Sequence, residues 1–207
     1  MIIHGSQVPA QMNAIMNILQ KSGIIVYPTE TLYGIGGDAF NYDAYKKIGD
    51  LKKRDPAKPM LMLIESETIS LELTADHHDI IHKISTCFWP GALTLVARAS
   101  TKIPKWLISE DGKIAFRVSN HPIALMITQS LKKPLISTSA NFAGTAPCSS
   151  IQQARHLFKR KIDIYIDGGK LSGLSSTIID ISTTPITIVR EGVLPVAQIR
   201  KKLPGIF

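Results

Sequence analysis

Apolar and polar positions along the chain follow two different periods, and the change from one to the other predicts where helices and strands lie. Apolar residues at three- and four-residue spacing indicate amphipathic helices, whereas short β-branched runs indicate buried strands. The predicted helices cover residues 7–22, 41–51, 66–73, 76–88, 121–127, 151–158 and 195–202. The predicted strands cover residues 24–26, 60–64, 93–97, 114–118, 135–136, 162–166, 176–181 and 186–189. Since the two types mostly alternate, with a hairpin near the end, the pattern predicts an α/β fold with one twisted mixed sheet flanked by helices.

The composition is that of a folded chain with an excess of positive charge. Hydrophobic residues make up 44% of the 207 residues, and the sequence shows no internal repeat, low-complexity tract or linker. We therefore expect one domain over residues 1–207, with a core from about 10 to 192. The net charge of +8 indicates an anionic partner such as a nucleotide, phosphate or RNA. The alternative is that the lysines are solvated on a surface that binds no partner.

The sequence contains few motifs that indicate where the protein is located or whether it binds a metal. Cys87 and Cys148 lie far apart without a CxxC partner, which suits a reducing cytosol and gives no metal or redox motif. No apolar run is long enough to cross a bilayer and no signal segment is present, so we expect a cytoplasmic protein without membrane contact. His78 and His82 stand four residues apart without an evident third ligand, so we expect a solvated helix face there.

The sequence is organised around residues 23–40, which read GIIVYPTETLYGIGGDAF. The predicted strand ends before Pro28, which has no N–H to donate, and hydroxyls at Thr29, Thr31 and Tyr33 follow together with several glycines. Glycines allow a ligand to approach the backbone closely, and hydroxyls donate or accept hydrogen bonds. The stretch predicts either the floor of a ligand site or an ordinary polar turn.

A run of cations follows the second predicted helix. Lys52, Lys53, Arg54 and Lys58 stand within seven positions that are interrupted by proline. The point charge of lysine and the planar fork of arginine suit a polyphosphate, but cations also favour the C-terminal end of any helix. Neither GxxxxGK[ST] nor GxGxxG occurs, so a bound nucleotide would depend on cationic side chains and hydroxyl loops.

Two further stretches place candidate ligand-binding residues at or near the ends of predicted strands. Arg117 lies within an apolar strand, where a buried charge needs either a salt-bridge partner or an anionic ligand. Residues 137–141, which read STSAN, follow a β-branched residue. Such a loop either binds phosphate or ribose oxygens or forms a turn that caps the next segment.

Seven motifs occur in an order that spans nearly the whole chain, about residues 15–192. They are PTETLYG from Pro28, Lys52-x-Arg54 with Lys58-Pro59, WPGALT from Trp89, Arg117 followed by His121-Pro122, Ser139-Ala140-Asn141, Ser176-Thr177 followed by Asp180, and Arg190-x-Gly192. With these motifs the chain resembles the YrdC-like threonylcarbamoyl-AMP synthases, the TsaC group. Each motif alone is weak, but the ordered set is specific.

The resemblance implies a fold and a reaction. The fold is a twisted α/β sheet with a concave, positively charged cavity. The reaction converts L-threonine, bicarbonate or CO2, and ATP to threonylcarbamoyl-AMP and pyrophosphate, and a separate transferase complex then modifies tRNA. We expect Mg²⁺ to travel with the ATP phosphates, because no carboxylate cluster in the sequence forms a dedicated metal site.

The resemblance also implies roles for individual residues. Catalysis by charge neutralisation falls to Lys52 and Arg54. The L-threonine site is implied at Thr31, Arg117, Ser137 and Ser176, with Arg117 as the fork for the carboxylate. The ATP site is implied at Lys52, Arg54, Lys58, Ser139, Asn141 and Arg190.

Three features depart from the family pattern or stay open. Many relatives carry a histidine in the strand after the Lys-Pro pair, where this chain has Leu63. Some members carry a second C-terminal domain, which we do not expect for a chain that ends at Phe207. No general base is evident, and Glu30 is a candidate only by its place in the sequence.

Two other functions are compatible with the same fold and charge. One is a non-catalytic module that binds double-stranded RNA or tRNA through its phosphates. The aromatic content of 6% gives little surface for stacking on bases, which disfavours that function. The other is a hydrolase or carrier for carbamoyl phosphate, which the absence of zinc-finger or acylphosphatase segments disfavours.

Overall fold

The computed structural model describes residues 1–54, 60–75, 78–171 and 173–206. Within these ranges the chain alternates strands and helices, as expected for an α/β protein. The α-helices are α1 (Val8–Gln20), α2 (Tyr42–Lys52), α3 (Glu67–Leu73), α4 (His78–Phe88), α5 (Pro122–Leu131), α6 (Ile151–Phe158) and α7 (Val196–Lys202). Short 3-10 helices cover Gly5–Gln7, Lys105–Leu107 and Lys159–Lys161. No helix in the described ranges has both the length and the apolar character needed to span a membrane.

The strands form two mixed sheets, where the sequence pattern predicted one. The first sheet has the order β1 (Ile2–His4), β9 (Ile164–Asp167), β2 (Ile25–Pro28), β3 (Tyr33–Gly36) and β8 (Thr138–Ser139). The second has the order β11 (Thr187–Arg190), β10 (Thr177–Asp180), β5 (Leu93–Arg98), β6 (Lys113–Arg117), β4 (Met62–Leu63) and β7 (Leu135–Ile136). Parallel and antiparallel pairs occur in both, so the mixed α/β class is confirmed.

Ser137 marks the point at which the chain passes from one sheet to the other. It separates β7, which pairs with β4 in the second sheet, from β8, which pairs with β3 in the first. The Ser137 backbone N–H donates to the Leu61 carbonyl at 2.8 Å, and Ile136 N–H donates to the Gly37 carbonyl at 2.9 Å. Because both sheets hold this segment, side chains near Ser137 keep a fixed position between them.

The stretch after Pro28 is more regular than the sequence predicts. Pro28 is the last residue of β2 and lies opposite Tyr33, so the loop of this hairpin covers only residues 29–32. Gly34 and Gly36 are part of β3, and at Gly36 the packing leaves no room for a side chain. A Cβ on Gly36 would lie 2.6 Å from the Tyr27 ring and 2.7 Å from the Ile136 carbonyl.

Local sequence signals account for several element ends. The Asn41 side chain accepts a hydrogen bond from Ala44 N–H at 3.1 Å and caps α2. Ser150 caps α6 in the same way, with Gln153 N–H at 3.4 Å. Proline begins α5 at Pro122, where the missing N–H costs no helical hydrogen bond.

Candidate anion-binding cavity

A cavity of about 250 Å³ lies where the two sheets meet. Its walls come from the β2–β3 loop, the end of β6, the segment around Ser137, the start of β10 and the end of β11. Most of the polar walls carry hydroxyls or guanidinium groups, and Asp and Glu are missing from the described lining residues. The lining residues are Thr29, Thr31, Leu32, Tyr33, Gly34, Arg54, Leu61, Ala115, Arg117, Ser137, Thr138, Ser139, Ser175, Ser176, Ile178 and Arg190.

The cavity brings together seven of the ten residues that the resemblance assigned. They are Thr31, Arg54, Arg117, Ser137, Ser139, Ser176 and Arg190. Lys52 and Asn141 do not line it and lie directly behind the Ser139 wall. Lys58 falls outside the described residues.

Arg117 is the most buried cation of the cavity. Its side chain is 4% exposed, and its Nη1 donates to the Glu30 carboxylate at 2.5 Å. The other Glu30 oxygen accepts a hydrogen bond from the Ser119 hydroxyl. Burial lowers the pKa of Arg117, and the negative charge of Glu30 opposes that effect. Arginine keeps its charge in proteins, and the Arg117 Cα is held in the second sheet opposite Leu63.

One donor of Arg117 has no hydrogen-bond partner in the protein. Among the described residues, Arg117 Nε is the single buried side-chain nitrogen or oxygen in this condition. A buried donor without an acceptor costs about 1–3 kcal/mol, so such atoms are rare in native structures unless a ligand completes them. We interpret Arg117 as one part of a site for an oxygen-bearing anion.

Arg190 reaches the same cavity from the end of β11. Its Nε and Nη2 donate to the Ser176 carbonyl at 3.3 and 2.9 Å. Burial lowers the pKa of Arg190, and the positive charge of Arg117 lowers it further. Two guanidinium groups that repel each other across a half-buried space are stabilised when an anion binds between them.

Gly192 allows this arrangement, because the backbone after Arg190 packs directly on the β10 end. A Cβ at Gly192 would lie 2.2 Å from the Ser175 carbonyl oxygen and 2.5 Å from the Ser176 carbonyl carbon. Gly192 N–H instead donates to the Thr177 hydroxyl at 2.8 Å. The Arg190-x-Gly192 motif therefore has a packing reason as well as a charge.

Lys52 holds one wall of the cavity in place. Its Nζ donates to the Ser139 carbonyl, to the Asn141 carbonyl at 2.7 Å and to Asn141 Oδ1 at 3.1 Å. Burial, with a contribution from the charge of Arg54, lowers the pKa of Lys52 to about 8. Since an ammonium group has three protons, these bonds use all of them. In this structure Lys52 organises the 139–141 loop, and among the described cations of this run it is Arg54 that lines the cavity.

Hydroxyl groups of the cavity are held by short local networks. The Thr29 hydroxyl lies 2.9 Å from the Thr31 hydroxyl and accepts from Leu32 N–H at 3.1 Å. The Ser176 hydroxyl lies 2.9 Å from the hydroxyl of Thr94, a buried residue of β5. Each hydroxyl therefore has a fixed place before a ligand binds.

Sequence reasoning missed several residues of this region. Leu61, rather than Leu63, lines the cavity, and Leu63 is fully buried in the core. The two leucines share a face of the strand by period-two alternation, so the sequence alone does not separate them. The Glu30–Ser119 contact joins residues 89 positions apart, and no local motif reports it.

A resident metal site is not evident from the side chains. The described residues contain no group of three or more His, Cys, Asp or Glu that could hold a metal ion. The imidazole of His82, considered above with His78, pairs with the Glu67 carboxylate at 2.9 Å.

The fold and the cavity define an α/β protein with an arginine-lined cleft between two sheets. Residues 17–192 match the Sua5/YciO/YrdC family, which carries the description telomere recombination. The chain belongs to this family.

Several relatives share a function name. A threonylcarbamoyl-AMP synthase of Coxiella burnetii is 36% identical over 160 residues, which cover 76% of this chain and 84% of the relative. Another from Vibrio parahaemolyticus is 33% identical and covers 86% of this chain and 97% of the relative. A third, from Pyrococcus abyssi, is 32% identical and covers 88% of this chain, but the match spans only 54% of that longer relative.

Solved structures agree with the fold. P. abyssi Sua5 complexed with L-threonine superposes with a TM-score of 0.93 at 28% identity, over 99% of this chain and 60% of that one. E. coli YciO superposes with a TM-score of 0.85 at 24% identity, over 94% and 96%, and shows the fold alone.

Proposed function

We propose that the protein is an L-threonylcarbamoyladenylate synthase, a nucleotidyltransferase. It converts L-threonine, bicarbonate and ATP to threonylcarbamoyl-AMP, pyrophosphate and water, the first step of tRNA threonylcarbamoyladenosine formation. The observation that carries the proposal is the buried Arg117 with an unpartnered Nε, facing a cavity with Arg54 and Arg190. Relatives with this name cover most of the chain, and one related structure contains L-threonine.

The amino-acid end of the reaction belongs near Arg117. A guanidinium matches a carboxylate with two parallel hydrogen bonds, so Arg117 binds the threonine carboxylate. Hydroxyls of Thr31, Ser137 and Ser176 contact the amine and hydroxyl of threonine. The ammonium group of threonine loses a proton to solvent, and the neutral amine combines with bicarbonate to give a carbamate and water. A carbamate oxygen is then the nucleophile.

The nucleotide end belongs near Arg54 and Arg190. The carbamate oxygen attacks the α-phosphorus of ATP, and the bond to the pyrophosphate oxygen breaks. Arginines around the phosphates stabilise the charge that moves to the leaving group. Ser139 contributes to the nucleotide site from the same wall, where its hydroxyl donates to Asn141 Oδ1 at 2.6 Å, while Lys52 and Asn141 keep that wall in position. Lys58 completes the set on the basis of the family motif alone.

The cavity is smaller than the whole pair of substrates. Its 250 Å³ lies below the roughly 300–1,000 Å³ of common small-molecule sites. Arg54 also lines a neighbouring groove of about 440 Å³ on α2, next to Tyr42 and Tyr45. We assign the cavity to threonine and the phosphates, and the groove to the rest of the nucleotide.

Mg²⁺ accompanies the ATP phosphates in this proposal and lowers their negative charge. The chain's own part is to bind and orient the phosphates through arginine, since its described carboxylates do not cluster. The product passes to a separate tRNA threonylcarbamoyl transferase complex, and direct contact with tRNA is compatible with the net charge of +8. Because ATP and tRNA meet in the cytosol, the reaction belongs there.

Pyrophosphate release by the purified chain tests the proposal. L-threonine and bicarbonate are added to ATP singly and together, without tRNA. We expect release only when both are present. If no combination releases pyrophosphate, the synthase function is wrong, and salt-sensitive binding of tRNA in the same preparation would favour the RNA-binding module.

A further inference from the structure

A carboxylate at the tip of one sheet holds the key arginine of the other. Glu30 lies in the 29–32 loop of the first sheet, whereas Arg117 and Ser119 lie at and just beyond the end of β6 in the second. Glu30 bonds to Arg117 Nη1 with one oxygen and to the Ser119 hydroxyl with the other. The Ser119 hydroxyl also accepts from His121 N–H at 3.2 Å, which fixes the second anchor.

The contact determines which edge of the guanidinium is left for a ligand. Arg117 Nη1 is turned to Glu30, and the Thr31 hydroxyl lies 3.5 Å from the same nitrogen. The atom without a partner, Nε, lies on the opposite, side-on edge of the group. That edge carries two parallel N–H bonds, the geometry that a carboxylate accepts in bidentate fashion.

We propose that Glu30 is a positioning residue, which orients Arg117 so that its side-on edge binds the carboxylate of the amino-acid substrate. This inference rests on the proposed function, since it takes threonine as the ligand. A long side chain that is free to rotate loses entropy when it binds, and a side chain held in place avoids that cost. Glu30 therefore sets the affinity for the amino acid without contacting it.

The same contacts argue against Glu30 as the general base. Both of its oxygens are engaged, one by a guanidinium and one by a hydroxyl. Its side chain is 15% exposed, and Glu30 is not among the residues that line the cavity. A base must reach the proton that it removes, directly or through one water.

The negative charge of Glu30 lowers the affinity for threonine, whereas its positioning of Arg117 raises that affinity. It offsets the charge of Arg117 and repels a substrate carboxylate, so its removal alone would strengthen threonine binding. Arg190, whose pKa Arg117 lowers, supplies a second positive charge to the cavity. The cavity keeps a net positive charge with or without Glu30. We therefore expect that losing the orientation of Arg117 weakens threonine binding more than relieving the repulsion strengthens it.

The variant Glu30→Gln measures the balance of these two effects, since it keeps the shape of the side chain and removes both the negative charge and the charge-assisted bond. In the pyrophosphate assay we expect the KM for threonine to rise about tenfold, with the KM for ATP changed by no more than about twofold. Glu67→Gln is the matched control. Glu67 also binds a serine hydroxyl and a basic side chain, Ser85 and His82, but away from the cavity. It should leave both KM values unchanged.

L-threoninol provides a readout that general loss of structure would not move. L-threoninol has a hydroxymethyl group in place of the threonine carboxylate, and the assay measures it as a competitive inhibitor of threonine. Glu30→Gln should leave its inhibition constant unchanged while threonine weakens. If Glu30→Gln weakens the binding of both ligands equally, or strengthens the binding of threonine, the positioning role is wrong.

If Glu30→Gln does not fold, the variant Ser119→Ala tests the same role, because it frees only one oxygen of Glu30. We expect Ser119→Ala to raise the KM for threonine by a smaller factor, and an unchanged KM refutes the inference. Failure of the wild type to release pyrophosphate would instead refute the proposed function.

Discussion

Replacing Lys52 with methionine removes three hydrogen bonds from the wall of the cavity. The ammonium donates to the Ser139 carbonyl and to both oxygens of Asn141. Bonds to a charged group contribute about 1.5–3 kcal/mol each, so three give about 5–9 kcal/mol. Burial of the charge costs stability in return. A pKa lowered from 10.5 to about 8 corresponds to about 3 kcal/mol. We expect Lys52→Met to lower the free energy of unfolding by about 2–6 kcal/mol.

Urea denaturation of the purified variants measures this free energy. Lys47→Met is the matched control, because Lys47 lies on the same helix and its Nζ makes one exposed hydrogen bond, to the Ser22 carbonyl at 2.8 Å. We expect the control to lose no more than about 0.5 kcal/mol, as for other surface substitutions. Equal losses in the two variants would show that Lys52 does not hold the 139–141 loop.

The pH dependence tests the cost of burying Lys52. Its pKa is lower in the folded protein than in the unfolded chain, so the unfolded chain binds the proton more tightly. Between about pH 8 and 10.5 the folded state has released this proton, and wild-type stability rises with pH across that window. The difference between wild type and Lys52→Met should therefore widen by about 2 kcal/mol from about pH 7 to about pH 9.5. A difference that narrows would mean that the carbonyl groups stabilise the charge more than burial penalises it.

Three further substitutions test other parts of the site, and a fourth, at Gly49, is a control for the glycine replacement. Arg54→Ala should abolish most pyrophosphate release while the circular dichroism spectrum stays unchanged, because Arg54 faces the cavity and neutralises phosphate charge; near-normal turnover would remove that role. Arg117→Ala should raise the KM for threonine more than that for ATP, and equal effects would indicate a structural ion pair only. Gly192→Ala should destabilise the protein by about 1–3 kcal/mol or more in thermal unfolding, since its Cβ would lie 2.2 Å from a carbonyl oxygen. Gly49→Ala, where the nearest atom is Met60 Cε at 3.7 Å, should instead stabilise α2 by up to about 1 kcal/mol.

The elements were predictable where their signals are local. The helix over 151–158 agrees with α6, and the hairpin of the last two strands agrees with β10 and β11, because capping residues and β-branched runs specify them. The division into two sheets was not predictable. It depends on a crossing at Ser137 between two strands of two residues each, which is too short to show a period. The close packing of Tyr27 on Gly36 is equally a tertiary contact.

The candidate site was predictable as a set of residues and not as a set of contacts. Arg117 could be identified because a charge within an apolar strand needs a partner. Which partner it has depends on the loop that carries Glu30, 87 positions earlier in the chain. Folding brings the two together across the sheets, so the salt bridge is present at one edge of the guanidinium, and we propose the anion site at the other edge, where Nε has no partner.

The cation run after α2 shows why motif order alone does not assign chemistry. Lys52 is the last residue of the helix, and its buried face points toward the 139–141 loop. Lys53 adopts a left-handed conformation, with φ of 51°, and turns the chain out of the helix. Arg54 then extends to the cavity. Two cations that are two positions apart therefore reach different environments. One is enclosed by carbonyl groups and stabilises the wall, and the other lines the cavity, where we propose that it binds phosphate.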